Sequence, residues 1–188
     1  IVENMMRDIT DVEGKTFLDP CCGSGNFIIE AIKKGFSPEN VYGFDIDENA
    51  VLITKKRIKD LCGYESDNIV CADFLSCQPS AISHQFSDSQ IFRFDYIFTN
   101  PPWGKKLNKK DKNRYSELYN SGNSSDTSSL FYFASLQMLK DDGILGFLLP
   151  DAFFNITTFE DARKSLLTLN IKRLIDYGKP FKGLMTKA

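Results

Sequence analysis

With 188 residues, 42% of them hydrophobic and 26% charged, the chain can bury a sizeable core and reads as a single domain. Its net charge of −2 excludes a globally basic nucleic-acid binder, so a polyanion would have to meet a local patch. No run approaches the roughly 18 apolar residues of a membrane span, and no signal peptide opens the chain. Five scattered cysteines without a C-x-x-C pair argue against a disulfide framework or a zinc ribbon, and for a reducing cytoplasm and no metal. Because the chain starts at Ile1 and stops abruptly at Ala188, it is expected to be a piece of a longer protein.

Strands and helices alternate from the start. Apolar runs predict strands over 15–19, 41–45, 68–72 and 94–99, with helices over 26–34 and 48–61 between the first three. Residues 76–92 have weak periodicity and read as a surface connection, and a polar loop is expected from about 100 to 128. Residues 130–139 are apolar nearly all round, which predicts a well-buried helix, and 144–149 a fifth strand ended by Pro150. Thr157-x-x-Glu160 has the form of a capping box, with Phe159, Ala162, Leu166 and Leu169 on one helical face, and 171–177 reads as a sixth strand. Such alternation specifies an α/β, Rossmann-like, doubly wound and mostly parallel sheet in three layers.

Chemistry gathers at the strand ends, where open α/β sheets bind ligands. After the first strand comes Asp19-Pro20-Cys21-Cys22-Gly23-Ser24-Gly25-Asn26-Phe27. Gly23 and Gly25 permit a tight turn and close approach of a ligand to backbone. Ile28 replaces the third glycine of a dinucleotide fingerprint and no Gly-Lys-Ser/Thr follows, so a phosphate cradle is disfavoured. Asp19 would instead attract a cationic group such as an amino-acid amine.

The second strand ends in Gly43-Phe44-Asp45-Ile46-Asp47. Asp45 can accept both ribose hydroxyls of a nucleoside, with Ile46 packed on its base, whereas Asp47 can cap the next helix. The third ends in Ala72-Asp73-Phe74, where Asp73 can accept from an adenine amine and Phe74 can stack on the ring. The fourth delivers Asn100-Pro101-Pro102-Trp103: a carboxamide acceptor, a carbonyl flanked by no N–H from Pro102, and a stacking face. Together these suit the exocyclic amine of a flat heterocycle.

On these residues the chain resembles the S-adenosylmethionine-dependent methyltransferases of the class I fold. Among them it resembles the adenine-specific (N6) DNA methyltransferases of restriction–modification systems. The family's cofactor loop matches Asp19, Pro20, Cys22, Gly23, Gly25, Asn26 and Phe27; its ribose acid matches Asp45; its adenine-contacting pair matches Asp73 and Phe74. Its catalytic Asn-Pro-Pro-aromatic matches Asn100–Trp103, and Phe181 falls where it places a second stacking aromatic. The resemblance implies S-adenosylmethionine as cofactor and adenine flipped out of duplex DNA as acceptor, with target recognition by a domain or subunit outside these 188 residues.

Asn-Pro-Pro-aromatic is shared with glutamine and ribosomal-RNA methyltransferases, so RNA bases and a protein glutamine amide stay open as acceptors. A non-catalytic nucleotide-binding scaffold is the reading from another class, and a scaffold would have no use for Asn100 or Asp45. Lys105, Lys106, Lys109, Lys110, Lys112 and Arg114 oppose a single acid, Asp111, in a run read as a loop able to touch a phosphate backbone. Residues 119–129 read as a low-complexity polar stretch, either a mobile lid or disordered. The only histidine, His84, is assigned no catalytic role.

Overall fold

The computed structural model describes residues 1–76, 93–104, 107–122 and 126–178. Lys105, Lys106, His84, Phe181 and most of the expected 76–92 connection lie outside them. The chain forms two compact units: Val2–Asn100 with Ser135–Phe147, and Pro101–Ala134 with Leu148–Ala188 and Ile1.

The first unit holds the sheet. A short helix α1 (Val2–Met5) precedes β1 (Phe17–Asp19), α2 (Asn26–Lys33), β2 (Val41–Asp45), α3 (Glu48–Cys62), β3 (Ile69–Cys71) and β4 (Phe94–Thr99). The last strand is β5 (Leu139–Phe147), and all pairings are parallel in the order β3-β2-β1-β4-β5. The order reverses between β1 and β4, which makes their carboxyl ends the topological switch point.

Apolar runs form β1, β2 and β4 because both of their faces are buried, whereas β5 starts at Leu139, five residues before the expected 144, and continues through the exposed Lys140-Asp141-Asp142. On one face Phe17 stacks on Phe98 with ring centres 6.0 Å apart and meets Phe36 edge-on at 5.4 Å, beside Ile28, Val51 and Ile58 from the helices. On the other, Tyr42 meets Phe94 at 5.3 Å. Gly146 pairs with Phe98 across β4–β5, and a Cβ there would come within 2.2 Å of the Phe98 ring.

At the amino ends of the strands, Asp95 clasps three of them. Its carboxylate accepts from the Thr16 N–H at 2.9 Å, the Thr16 hydroxyl at 2.8 Å and the Lys140 ammonium at 2.8 Å. Burial raises its pKa, but the Lys140 and Thr16 hydrogen bonds outweigh that and hold the carboxyl below the ordinary range.

The second unit corrects the sequence reading. The expected polar loop contains a helix, α4 (Lys109–Tyr119), capped by Asn108, whose side chain accepts from the Asp111 N–H at 2.9 Å. The helix turns inward on Tyr115 and Tyr119, both buried, with rings stacked at 6.4 Å. The lid expected over 119–129 is not one in its described part: Ser121 is buried, and Thr127, Ser128 and Ser129 are the buried first turn of α5 (Thr127–Met138). This helix is the expected apolar one, begun three residues earlier by Asp126, which accepts from the Ser128 N–H at 2.9 Å.

The Thr157-x-x-Glu160 capping box does not form. Thr157–Phe159 is a 3₁₀ turn that leads into α6 (Glu160–Leu166) without a side-chain cap. Phe159 and Ala162 are buried as expected, whereas Leu169 is exposed. Residues 171–177 are not a strand. A strand exists through a hydrogen-bonded neighbour, and among the described residues the sheet has only the five strands above, with Ile171 and Leu174 exposed by 47% and 71%.

Candidate active site

The glycine loop after β1 is strapped from two sides. From β2, Phe44 accepts the Cys22 N–H at 2.8 Å, and the Asp45 carboxylate accepts the Gly23 N–H at 2.7 Å and the Asp47 N–H at 3.0 Å. From α3, the buried Thr54 hydroxyl donates to the Gly23 carbonyl at 2.8 Å, while the Arg57 guanidinium donates to the Ser24 carbonyl and to Asn26 Oδ1. Gly25 has φ +82°, and a Cβ there would come within 2.7 Å of Thr54. Gly23 has φ +51° with open space where its Cβ would stand, which suits close approach of a ligand.

Sequence reasoning missed Thr54 and Arg57. Thr54 was visible as the polar member of the buried stripe Val51, Thr54, Ile58 at helical spacing. Asp47 caps α3, accepting from the Asn49 N–H at 2.9 Å.

Asp19 is 1% exposed, with its carboxylate accepting the Cys21 N–H at 3.1 Å. Its carboxyl therefore braces the loop turn. Burial pushes its pKa up to about 7, and Asp45 adds to the rise; the Cys21 N–H and the neighbouring Thr99 hydroxyl act the other way. That hydroxyl is buried and, among the described residues, outside good hydrogen-bond geometry to any partner. Burial likewise raises the Cys22 thiol far above its usual range, leaving it unreactive. Phe27, Pro20 and Gly25 are buried beside it, whereas Asn26 is exposed.

Asp73 is exposed and caps the turn Phe74–Ser76, accepting from the Leu75 N–H at 3.1 Å and the Ser76 hydroxyl at 2.8 Å. Phe74 is 2% exposed and packs on Phe44 at 5.6 Å, so in this conformation its ring serves the core rather than a ligand. The exposed apolar side chain at this edge is Ile46, at 60%. Thus β1, β2, β3 and β4 end in, or are followed by, Asp19, Asp45, Asp73 and Asn100. This donor set is acidic and suits an amine and a ribose diol better than a phosphate. Both oxygens of Asp45 keep a lone pair beyond the N–H each already holds. The residues present therefore fit S-adenosylmethionine.

Asn100 is exposed at the end of β4. The chain then enters the second unit, where Pro101 is buried and Trp103 half-buried, its indole N–H donating to the Leu148 carbonyl at 3.1 Å. That bond pins one edge of the ring. Among the described residues no cluster of histidine, cysteine and acidic side chains is arranged to hold a metal, and no helix is long and apolar enough to cross a membrane.

Strand order, switch point and loop define the class I, Rossmann-like methyltransferase fold. A solved protein of Listeria monocytogenes, described as a candidate class I S-adenosylmethionine-dependent methyltransferase, shares it with a TM-score of 0.68 at 20% identity, over 99% of this chain and 54% of that one. The chain belongs to the Eco57I restriction-modification methylase family, whose model matches residues 39–182. It is 54% identical to the Type II methyltransferase M.VspI of Vibrio sp. (strain 343) over 95% of this chain and 41% of that protein. It is 30% identical to the modification methylase CviBIII of Paramecium bursaria Chlorella virus NC1A, over 84% of this chain and 37% of the relative. The chain thus spans less than half the length of these curated relatives.

Proposed function

We propose that the chain is the methyl-transferring part of a restriction–modification DNA methyltransferase, acting in the cytoplasm on the N6 of adenine with S-adenosylmethionine as donor. The observation that carries this reading is the exposed Asn100, followed by two prolines, at the switch point of a sheet in which β1 and β2 end in Asp19 and Asp45 and β3 is followed by Asp73. Relatives named as a Type II methyltransferase and a modification methylase support it.

In this reading Asp45 accepts the ribose hydroxyls, Asp73 the adenine amine of the cofactor, and Ile46 covers its base. Phe74 supports that edge from the core. Cys22, Gly23, Gly25, Asn26 and Phe27 shape the loop, and Asp19 favours the cationic end through its charge. The bound cofactor supplies an electrophilic methyl group on a sulfonium.

The substrate amine is a weak nucleophile because its lone pair is delocalised into the purine. The Asn100 side-chain carbonyl and the Pro101 carbonyl accept its two hydrogens, which draws the nitrogen out of conjugation and frees the lone pair. Pro102 keeps a competing N–H away from that carbonyl. Forming the new N–C bond would break the methyl–sulfonium bond, whose electron pair stays on sulfur so that a neutral thioether leaves, and one amine proton passes to water. Positioning and electrostatics carry the rate, without a covalent enzyme intermediate.

Trp103 stacks on the flipped base. Stacking contributes about 1–3 kcal/mol against a few for extrusion, so one ring roughly offsets the flip, and Phe181 is assigned the second face. Target recognition falls to a further domain or subunit. Transfer of labelled methyl groups onto DNA, RNA and protein in parallel tests the reading. Label on DNA at adenine N6 is expected, and label only on RNA or protein would overturn it.

A further inference from the structure

The net charge of −2 conceals a division between the two units. The sheet unit has ten lysines and arginines against eighteen acids, whereas the second unit has thirteen against seven. One is therefore strongly acidic and the other strongly basic. A near-neutral total is what the sequence shows, and the partition appears only once the units are drawn.

Within the basic unit the cations differ in what they do. Lys164 is paired with Glu160 at 2.7 Å, and Arg163 donates to the Phe153 and Ile156 carbonyls. The cations of α4 are different. Lys109, Lys110, Lys112 and Arg114 form no ion pair among the described residues, and Lys109, Lys110 and Arg114 are exposed. Arg114 lies 5.8 Å from the centre of the Tyr115 ring. The one acid of the first turn, Asp111, is held by its capping partner Asn108 at 2.6 Å.

This arrangement works against the helix that carries it. Cations in a first turn oppose the positive end of the helix dipole, and Lys110 and Arg114 are like charges one turn apart. Tyr115 and Tyr119 hold the opposite side of the helix in the core. A helix anchored on one side and self-repelling on the other is relieved by a polyanion.

We infer that the exposed face of α4, through Lys109, Lys110 and Arg114, grips the phosphate backbone of duplex DNA. The inference rests on the proposed DNA reading and names the part of the chain that meets the backbone. The acidic sheet unit repels the same polyanion, so backbone binding is concentrated on the second unit. These side chains read no sequence; they position the duplex.

The test is fluorescence-anisotropy titration of a 30-base-pair duplex, from about 50 to 200 mM salt, with the unaltered chain and with K109Q/K110Q/R114Q. Glutamine keeps helix propensity, and far-UV circular dichroism checks that the helix persists. Losing three phosphate contacts should flatten the slope of log affinity against log salt by roughly 2–3 and weaken low-salt binding by about tenfold or more. K55Q/K56Q, on α3 of the acidic unit, should leave both within about twofold.

An unchanged slope in the triple variant overturns the inference, as does equal loss in K55Q/K56Q. So does stronger binding of a single-stranded RNA of equal length, or no binding of the duplex by the unaltered chain. Methyl transfer is measured separately. If DNA is methylated while the slope does not change, only this inference fails; if label goes to RNA or protein alone, the functional reading fails.

Discussion

The Asp45 carboxylate accepts the Gly23 N–H at 2.7 Å, so the acid proposed to hold a ribose also sets the loop proposed to hold the rest of the cofactor. Asp45→Ala should therefore weaken S-adenosylhomocysteine binding by about 1–3 kcal/mol, the scale of a charged hydrogen-bond partner. Calorimetry checks this, and an unchanged affinity would remove Asp45 from the pocket.

Asn100→Ala should abolish methyl transfer while leaving cofactor affinity nearly unchanged, because its amide is proposed to touch only the acceptor. Asn100 is exposed, so stability should move by no more than about 0.5 kcal/mol. Parallel loss of cofactor binding and turnover would place Asn100 in the cofactor pocket instead.

Two glycines of one loop should respond differently to alanine. Both have positive φ, but a Cβ at Gly23 meets open space and one at Gly25 meets Thr54 at 2.7 Å. Gly23→Ala should cost about 1 kcal/mol from backbone strain. Gly25→Ala should cost more, about 2–4 kcal/mol, because Thr54 is itself buried and cannot withdraw. Urea unfolding of the two variants gives the comparison; equal costs would mean that the loop is free to move away from α3.

Asp19 gives a pH dependence of definite sign. Its folded pKa of about 7 lies above the unfolded value, so the folded state binds the extra proton between about pH 4 and 7. The contribution of Asp19 to stability is greatest when the carboxyl is protonated and falls as pH rises through that window. Asp19→Asn should lack this fall, so its stability relative to the unaltered chain should be higher at pH 8 than at pH 4.5, by an amount of order a few kcal/mol. Denaturant midpoints at the two pH values measure it, and a pH-independent difference would show that Asp19 is not protonated in the fold.

Strands β1 to β4 and the acids at their ends were legible in the sequence because a parallel strand buried on both faces must be an apolar run, and a charged side chain interrupts it. The start of β5 was not legible, because Lys140-Asp141-Asp142 is no apolar run. Helix α4 was not. Six of its eleven residues are charged, and only Tyr115, Leu118 and Tyr119 mark its inner side, too few to show a period. Its signal was the Asn108-x-x-Asp111 cap, which local charge obscured. The expected strand over 171–177 failed for the opposite reason: its residues suit a strand, but pairing is a property of a neighbour and is not written in the segment. Thr54 and Arg57 escaped notice because what they hold lies about thirty residues earlier in the chain.

The Asp95 clasp lies at the end of the sheet opposite Asp19 and Asn100. It locks β1, β4 and β5 in register from below, so the heights of the strand tips do not depend on the loops that leave them. Loops of any length or composition can then be exchanged above a fixed datum without re-registering the core. Insertions after Asp19 or Asn100 should be tolerated by the fold even where they ruin activity, whereas loss of Asp95 should tilt both tips together.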